Sequence, residues 1–458
     1  MEYIKRFVEE DFKEWKERYS RFALEVVGCR QVGKTTTVLH FAKENYDTVI
    51  SINVGADTNI FLLEQANEHN VVDALSEYCR RNGITFVNDR RTVLVMDEIQ
   101  ESKMLYERIR IFNRCLECDV IVTGSYLQKA RSYFQPMGDI MKIEMFPLSY
   151  EEYLEYFGLY KPYKTSSTEQ LCDKYLNEFK AVYELYLQVG GYPSVFISYL
   201  EKNSIDKNFE NLIDIIFAEF KNNADRGADF DKIDQMFRAA CKFLCNEKKG
   251  NRRVVETISK LTEQDKSKRI SSKECNNLLA WMVEAHIINY CGRYDLRTEE
   301  FYPSERFYFE DVGLFNYLCK MYGIRQATID GILAETFVFK SLAEKNFSER
   351  FYEERPAFAT DADYELDFCV RSKIDDKLYG IEVKSGNGQG VSANKMLEDR
   401  KIDYVVFAKG TGSVGEVGEK YTIPIFFFNK FTFDKGGVVE RRELPRIDKD
   451  TFKYLDAF

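Results

Sequence analysis

Short apolar runs alternate with stretches of helical spacing over the first 150 positions. Residues 22–27 predict a buried strand, and 36–42 place apolar side chains at helical intervals. Residues 48–54, 92–100, 119–125 and 142–146 read as further strands, with helices over 57–82 and 101–116. Strands alternating with helices predict a parallel sheet with helices on both faces. Ahead of them, 1–20 predicts an amphipathic helix with Ile4, Phe7, Val8, Phe12 and Trp15 on one side.

From 149 to 228 the pattern is helical, with Tyr150, Tyr153, Leu154 and Phe157 on one face and Gly190-Gly191-Tyr192-Pro193 interrupting two helices. A polar run at 221–227 reads as a boundary. Over 230–325 the spacing predicts helices and then a hairpin, the order of a winged helix. Ile233, Phe237, Ala240, Cys241 and Leu244 share one helical face. Ser271 or Ser272 caps another helix, whose inner face holds Leu278, Leu279 and Met282. Segments 287–291 and 306–309 pair as strands. A last unit opens with a helix from Gly331 through Ala343, followed by strands over 364–370, 378–384, 401–407 and 423–428. The expected divisions are 1–148, 149–228, 229–327 and 328–458. There is no internal repeat, and the tail from 431 is charged.

Between the first strand and its helix lies Gly28-Cys29-Arg30-Gln31-Val32-Gly33-Lys34-Thr35-Thr36, which fits G-x-x-x-x-G-K-[ST]. Glycines let backbone N–H groups turn onto phosphate oxygens, and the helix N-terminus adds partial positive charge. Lys34 is expected to reach the β- and γ-phosphates of ATP, and the Thr35 hydroxyl to ligate Mg²⁺. The run Thr92-Val93-Leu94-Val95-Met96-Asp97-Glu98 ends as a Walker B strand does. Asp97 is expected to hold Mg²⁺, directly or through water, and Glu98 to polarise the attacking water. At the end of the next strand, Thr123 or Ser125 stands where a polar side chain can sense the γ-phosphate, and Ser125 is the catalytic candidate.

These residues resemble the G-x-R-Q-x-G-K-T loop of a group of prokaryotic AAA-type ATPases whose C-terminal part is poorly known. Asp97-Glu98-Ile99-Gln100, Thr123-Gly124-Ser125, Phe146-Pro147-Leu148-Ser149-Tyr150-Glu151-Glu152-Tyr153 and Gly190-Gly191-Tyr192-Pro193 match the same group. Many members carry Gly-Arg shortly before the Pro-Leu-Ser segment. Here it is Gly138-Asp139, so no arginine role transfers. The resemblance implies a winged-helix-like module after the helical lid, and with it DNA binding. It also implies a nuclease-like end.

Composition narrows the classes. At 458 residues the chain suggests about three domains of ~150 residues each. With 45% hydrophobic and 31% charged residues, it has ample material for a core. No apolar stretch is long enough to span a bilayer, and charges break any signal-peptide core, so a cytoplasmic protein is expected. Its eleven cysteines are then reduced. Cys115 and Cys118 form one Cys-x-x-Cys that neither a second pair nor the three scattered histidines answer. A net charge of −10 requires any nucleic-acid contact to come from a local, salt-sensitive patch. Lys248, Lys249, Arg252, Arg253, Lys266, Lys268 and Arg269 cluster in sequence as candidates for it.

The last unit carries its own pattern. Asp367, fourteen residues, then Glu382-x-Lys384 fits a PD-(D/E)xK nuclease. Strand alternation puts Glu382 and Lys384 on one face. Asp367 and Glu382 could hold a second divalent metal, with Lys384 orienting water or steadying phosphate and Glu335 as a third group.

The fold expected is therefore α/β. A P-loop parallel-sheet core with a helical lid comes first, then a winged-helix-like module and a restriction-nuclease-like domain. One functional reading is an ATP-hydrolysing machine acting on DNA. The other is an ATP-gated signalling or scaffold protein whose nuclease-like domain is an inactive protein-binding module. An oligomer is compatible with both.

Overall fold

The computed structural model describes residues 3–18, 21–124, 138–166, 173–223, 230–247, 253–262, 270–349, 356–360, 364–385, 390–411 and 414–437. Five strands form the first sheet: β1 (Ala23–Val27), β2 (Thr48–Asn53), β3 (Thr92–Asp97), β4 (Asp119–Gly124) and β5 (Ile140–Glu144). Their order is β2-β3-β4-β1-β5, and every pair is parallel. The chain moves outward from β1 to β2, returns through β3 and β4, and then crosses to β5. The order thus reverses beside β1, and ligands of such sheets sit outside the carboxyl ends at that reversal.

Helices cover both faces, which is why all five residues of β1 are buried. Glu25 is the polar exception. Tyr106 donates to it at 3.2 Å, and burial still pushes its pKa up against Lys142 and that hydrogen bond. The first helix, α1 (Val8–Glu17), is shorter than the pattern implied, and Ile4 is buried without being helical. After α2 (Lys34–Asn45), the expected helix over 57–82 is broken. A single turn at Phe61–Glu64 precedes α3 (Val71–Arg81). Asn70 accepts from Asn67 N at 2.6 Å and Asn67 from His69 N at 2.9 Å, so asparagine turns outcompete the helix there. Helix α4 (Lys103–Cys115) follows, capped by Ser102.

Next comes a helical block: α5 (Tyr150–Tyr156), α6 (Leu176–Val189), α7 (Pro193–Leu200), α8 (Ile205–Asn223), α9 (Phe230–Asn246), α10 (Val254–Leu261) and α11 (Ser272–Glu284). Ser149 with Glu152, and Ser271 with Glu274, form capping boxes.

The second sheet has eight strands: β6 (Ile288–Asp295), β7 (Glu300–Phe309), β8 (Ala357–Thr360), β9 (Phe368–Arg371), β10 (Leu378–Lys384), β11 (Tyr404–Lys409), β12 (Gly415–Val417) and β13 (Lys420–Pro424). Their order is β12-β13-β11-β10-β9-β8-β6-β7. The hairpin β6–β7 forms as the pattern indicated, but β6 also pairs in parallel with β8, from Gly292–Ala357 to Asp295–Thr360. Hairpin and C-terminal strands are thus one sheet, and the expected division at 327/328 runs between two parts of it. Helices α12 (Val312–Met321), α13 (Gln326–Glu349) and α14 (Val391–Glu398) pack with this sheet. The strand expected over 423–428 ends at Pro424. Ile425–Lys430 forms a 3₁₀ turn with Ile425, Phe426, Phe427 and Phe428 all buried. A run apolar at every position carries no period that separates a buried strand from a buried helical turn.

An aromatic seam joins the two halves. The Tyr150 ring meets Tyr163, Tyr183, Tyr186 and Phe337 edge-on, and Tyr163 packs on Phe427 and donates to Phe426 O at 3.0 Å. Among the described residues, no helix is long and apolar enough to cross a membrane.

Candidate nucleotide site

The loop between β1 and α2 is built for close approach. Gly28 has φ +142°, and a Cβ there would run into the Met145 carbonyl. Gly33 precedes the helix in the left-handed region, as does Gln31 with φ +62°. A left-handed non-glycine residue costs of order 1–3 kcal/mol and marks a backbone shape held by its surroundings.

Lys34 is buried, and its ammonium donates to Gly28 O at 2.9 Å and Cys29 O at 2.8 Å. Burial pulls its pKa below the ordinary lysine value, against the pull of Cys29, Glu98, Asp97 and Glu219. Thr35 donates its hydroxyl to Asp97 Oδ2 at 2.9 Å. The other Asp97 oxygen accepts from Thr123 and from Glu98 N. Glu98 sits in the left-handed region, φ +55°, with its carboxylate accepting from Gln100. The sequence-predicted Lys34, Thr35, Asp97, Glu98 and Thr123 therefore converge at the carboxyl ends of β1, β3 and β4. Ser125 lies outside the described residues.

This donor set suits a magnesium nucleotide. Mg²⁺ takes one or two protein oxygens and completes its shell with phosphate and water, so a lone hydroxyl–carboxylate pair is enough. Among the described residues the ammonium's hydrogen bonds go to two neutral carbonyls, with Glu98, Asp97 and Glu219 acting on it through space, so it is not locked in a direct ion pair.

Three supports were not legible as such. Arg6, buried, donates to Val32 O at 2.7 Å, Phe146 O at 2.7 Å and Glu152 Oε1 at 2.9 Å, clamping the loop to the end of β5 and to α5. In the sequence it is one base among many on an amphipathic segment. Arg30 pairs at 2.9 Å with Glu219 of α8, whose pKa burial raises against Arg30 and Lys34. Tyr192 places its hydroxyl 3.1 Å from Cys29 Sγ, a thiol that burial pushes up to about 12. Asp139, where the resembling group carries arginine, takes Arg110 and Arg114 at 2.9 Å each.

The C-terminal candidates are arranged differently. Asp367, just before β9, accepts from Val383 N at 2.6 Å. Lys384 lies 2.6 Å from Glu382 Oε1 on the same strand. Glu335, on α13, accepts from Tyr308 at 3.0 Å. Among the described residues, no three His, Cys, Asp or Glu gather to hold a metal, so the second-metal expectation finds no ligand set there. Of the basic run, only Arg253 is described; it pairs with Glu256 at 3.6 Å. Lys248, Lys249, Arg252, Lys266, Lys268 and Arg269 lie outside the described residues.

Loop, strand order and site together have the layout of a P-loop nucleotide site at the carboxyl ends of a parallel sheet. Residues 20–154 match the AAA domain family, and residues 180–326 match a domain of unknown function. No curated protein matches the chain. Among solved structures, the Walker-type ATPase PABY2304 of Pyrococcus abyssi is similar at 15% identity and a TM-score of 0.44, covering 69% of this chain and 96% of that one. The Thermotoga maritima RuvB Holliday junction branch migration motor is similar at 16% identity and a TM-score of 0.27, covering 62% and 89%. The Aeropyrum pernix ORC1 protein in complex with DNA is similar at 11% identity and a TM-score of 0.26, covering 69% and 93%.

Proposed function

We propose that the chain binds and hydrolyses ATP with Mg²⁺ at this site, and uses its C-terminal half to dock a partner. The observation that carries the reading is the Thr35–Asp97 contact at 2.9 Å beside a buried ammonium that donates to the Gly28 and Cys29 carbonyls. Bound Mg²⁺ would neutralise charge on the phosphates. Lys34 binds the β- and γ-phosphates, the loop N–H groups of 28–36 line them, Thr35 and Asp97 hold the ion, and Glu98 orients water. Thr123, through Asp97, ties the neighbouring strand to the ion's ligand, and Ser125 is the further candidate for contact with the γ-phosphate. Exchanging Lys34→Ala tests the site. Calorimetry with ATP and Mg²⁺ is expected to show about a hundredfold weaker binding, the scale of a lost charge-assisted contact in a desolvated loop. Unchanged affinity in a folded variant overturns the assignment.

The partner we favour is DNA, through a winged-helix-like and nuclease-like end. A concavity of about 260 Å³ lined by Arg371, Arg400 and Lys401, with Glu299 and Asp403, supports an anionic partner there. Binding to duplex DNA should fall steeply with salt. No binding at low salt favours a protein partner and the signalling reading instead. The Lys384–Glu382 contact favours docking without cleavage, because a lysine already neutralising the acid leaves little charge for a metal.

A further inference from the structure

We propose that Asp311, from the C-terminal half, is a positioning residue of the nucleotide site: through Gly191 and Tyr192 it holds the P-loop in its phosphate-receiving shape. The inference rests on the nucleotide reading above.

Asp311 is 1% exposed and uses its two oxygens on two different elements. Oδ1 accepts from Leu314 N at 2.7 Å and caps α12. Oδ2 accepts from Gly191 N at 2.5 Å, in the loop between α6 and α7. That loop fits only without side chains: at Gly190, φ +71°, a Cβ would run into Asp311 Oδ1 and Gly313 N. Gly191 O in turn accepts from Leu148 N at 2.7 Å, at the segment that follows β5.

The same loop reaches the phosphate-binding turn. Tyr192, buried, contacts Cys29 at 3.1 Å near the start of the turn. Pro193 Cγ lies 3.7 Å from where a Cβ on Gly33 would sit, near its end. The 190–193 loop therefore touches the P-loop at Cys29 and passes close to Gly33, and Asp311 anchors it. Burial pushes the Asp311 pKa up, against the pull of Lys340 of α13, 4% exposed, which donates to Tyr186 at 2.9 Å. Burial works against that ammonium, yet Tyr186, Glu344 and Asp311 outweigh it and its pKa lies above the ordinary lysine value.

A helix cap needs one acceptor oxygen, and serine supplies it as well as aspartate. The second carboxylate oxygen is therefore what a cap alone leaves unexplained. Asp311→Ser keeps the cap and is too short to reach Gly191. Tyr192→Phe keeps the ring and drops the contact to Cys29.

The test uses the full chain, a non-hydrolysable ATP analogue and Mg²⁺, with melting followed separately. Asp311→Ser is expected to weaken binding about tenfold, the value of one hydrogen bond to a charged acceptor, with KM for ATP raised and kcat little changed. Tyr192→Phe should weaken it less, and the double variant should match Asp311→Ser, since the two act in series. Wild-type affinity in folded Asp311→Ser overturns the inference and leaves Asp311 a cap. Should that variant not fold, Tyr192→Phe decides, and unchanged affinity there overturns the inference equally. Lys34→Ala is the control. If it binds like wild type, or wild type binds nothing, the nucleotide reading fails and this one falls with it.

Discussion

Two of the lysines that stand near acids, one at each candidate site, are treated in opposite ways. Lys384 touches Glu382 directly, at 2.6 Å. Lys34 is turned onto the Gly28 and Cys29 carbonyls, while Asp97 is occupied by Thr35, Thr123 and Glu98 N. In the first case opposite charges cancel, and a charged ligand must break the pair before it binds. In the second, neutral dipoles hold each charge, so both remain available. What distinguishes the two sites is whether opposite charges are kept apart in the folded chain, since both contain the residue types their motifs require.

The largest effect expected from this contrast is on turnover. Glu98 is fixed in a left-handed conformation at the strand end, with Gln100 donating to its carboxylate. Glu98→Gln keeps the shape and removes the charge. Steady-state phosphate release should fall by ~10²–10⁴-fold while analogue binding is kept. Wild-type turnover would show that another group activates the water. The comparison would then concern binding only.

Part of this was legible in the sequence, and the physical reason is locality. Gly28 to Thr36 is contiguous, and a strand, a glycine turn and a helix suffice to place it. Asp97 and Glu98 are read from the apolar run that precedes them. Arg6 and Asp311 were not legible, because the contacts that matter, Arg6 with Phe146 and Glu152 and Asp311 with Gly191, span more than a hundred residues, and nothing near them in the chain differs from an ordinary surface base or helix cap. The same holds for the second sheet. The β6–β7 hairpin is local and readable, whereas the β6–β8 pairing joins 292–295 to 357–360 and leaves no periodic signal. At 423–428 the apolar run predicts a strand and forms a 3₁₀ turn from Ile425, because period alone does not separate a buried strand from a buried turn.

A middle-sized effect should come from the seam between the two regions. Glu310 follows β7 and faces Glu144 of β5, His286, Lys340 and Asn289. Burial, then Glu144, push its pKa up to about 7, against His286 and Lys340. His286 lies 2.8 Å from Glu144. The folded chain thus holds a proton at Glu310 that the unfolded chain releases near the usual carboxylate range. Stability from this group is complete below about pH 4.5 and is lost as pH rises toward 7, on the order of 3 kcal/mol in all. Urea unfolding of Glu310→Gln at pH 5 and pH 8 should show a smaller loss over that interval than wild type. Some slope should remain, because burial raises Glu344 to about 7 as well. An unchanged slope would mean that Glu310 does not carry the titration.

The smallest expected effect is the one that bears hardest on the C-terminal site. If Lys384 already neutralises Glu382, and Asp367 Oδ2 is spent on Val383 N, then neither acid has much to offer a cation. Mn²⁺ calorimetry on the full chain without nucleotide should give the same isotherm for wild type, Glu382→Gln and Asp367→Ala. Any weak binding near Asp97 is common to all three and cancels. Asp367→Ala should still cost about 1–3 kcal/mol of stability, because it strands a buried backbone donor, and this separates a structural acid from an idle one. A loss of Mn²⁺ binding in either variant would show that the Lys384 pair opens for metal. The two lysine–acid arrangements would then differ only in how much must move before a ligand enters.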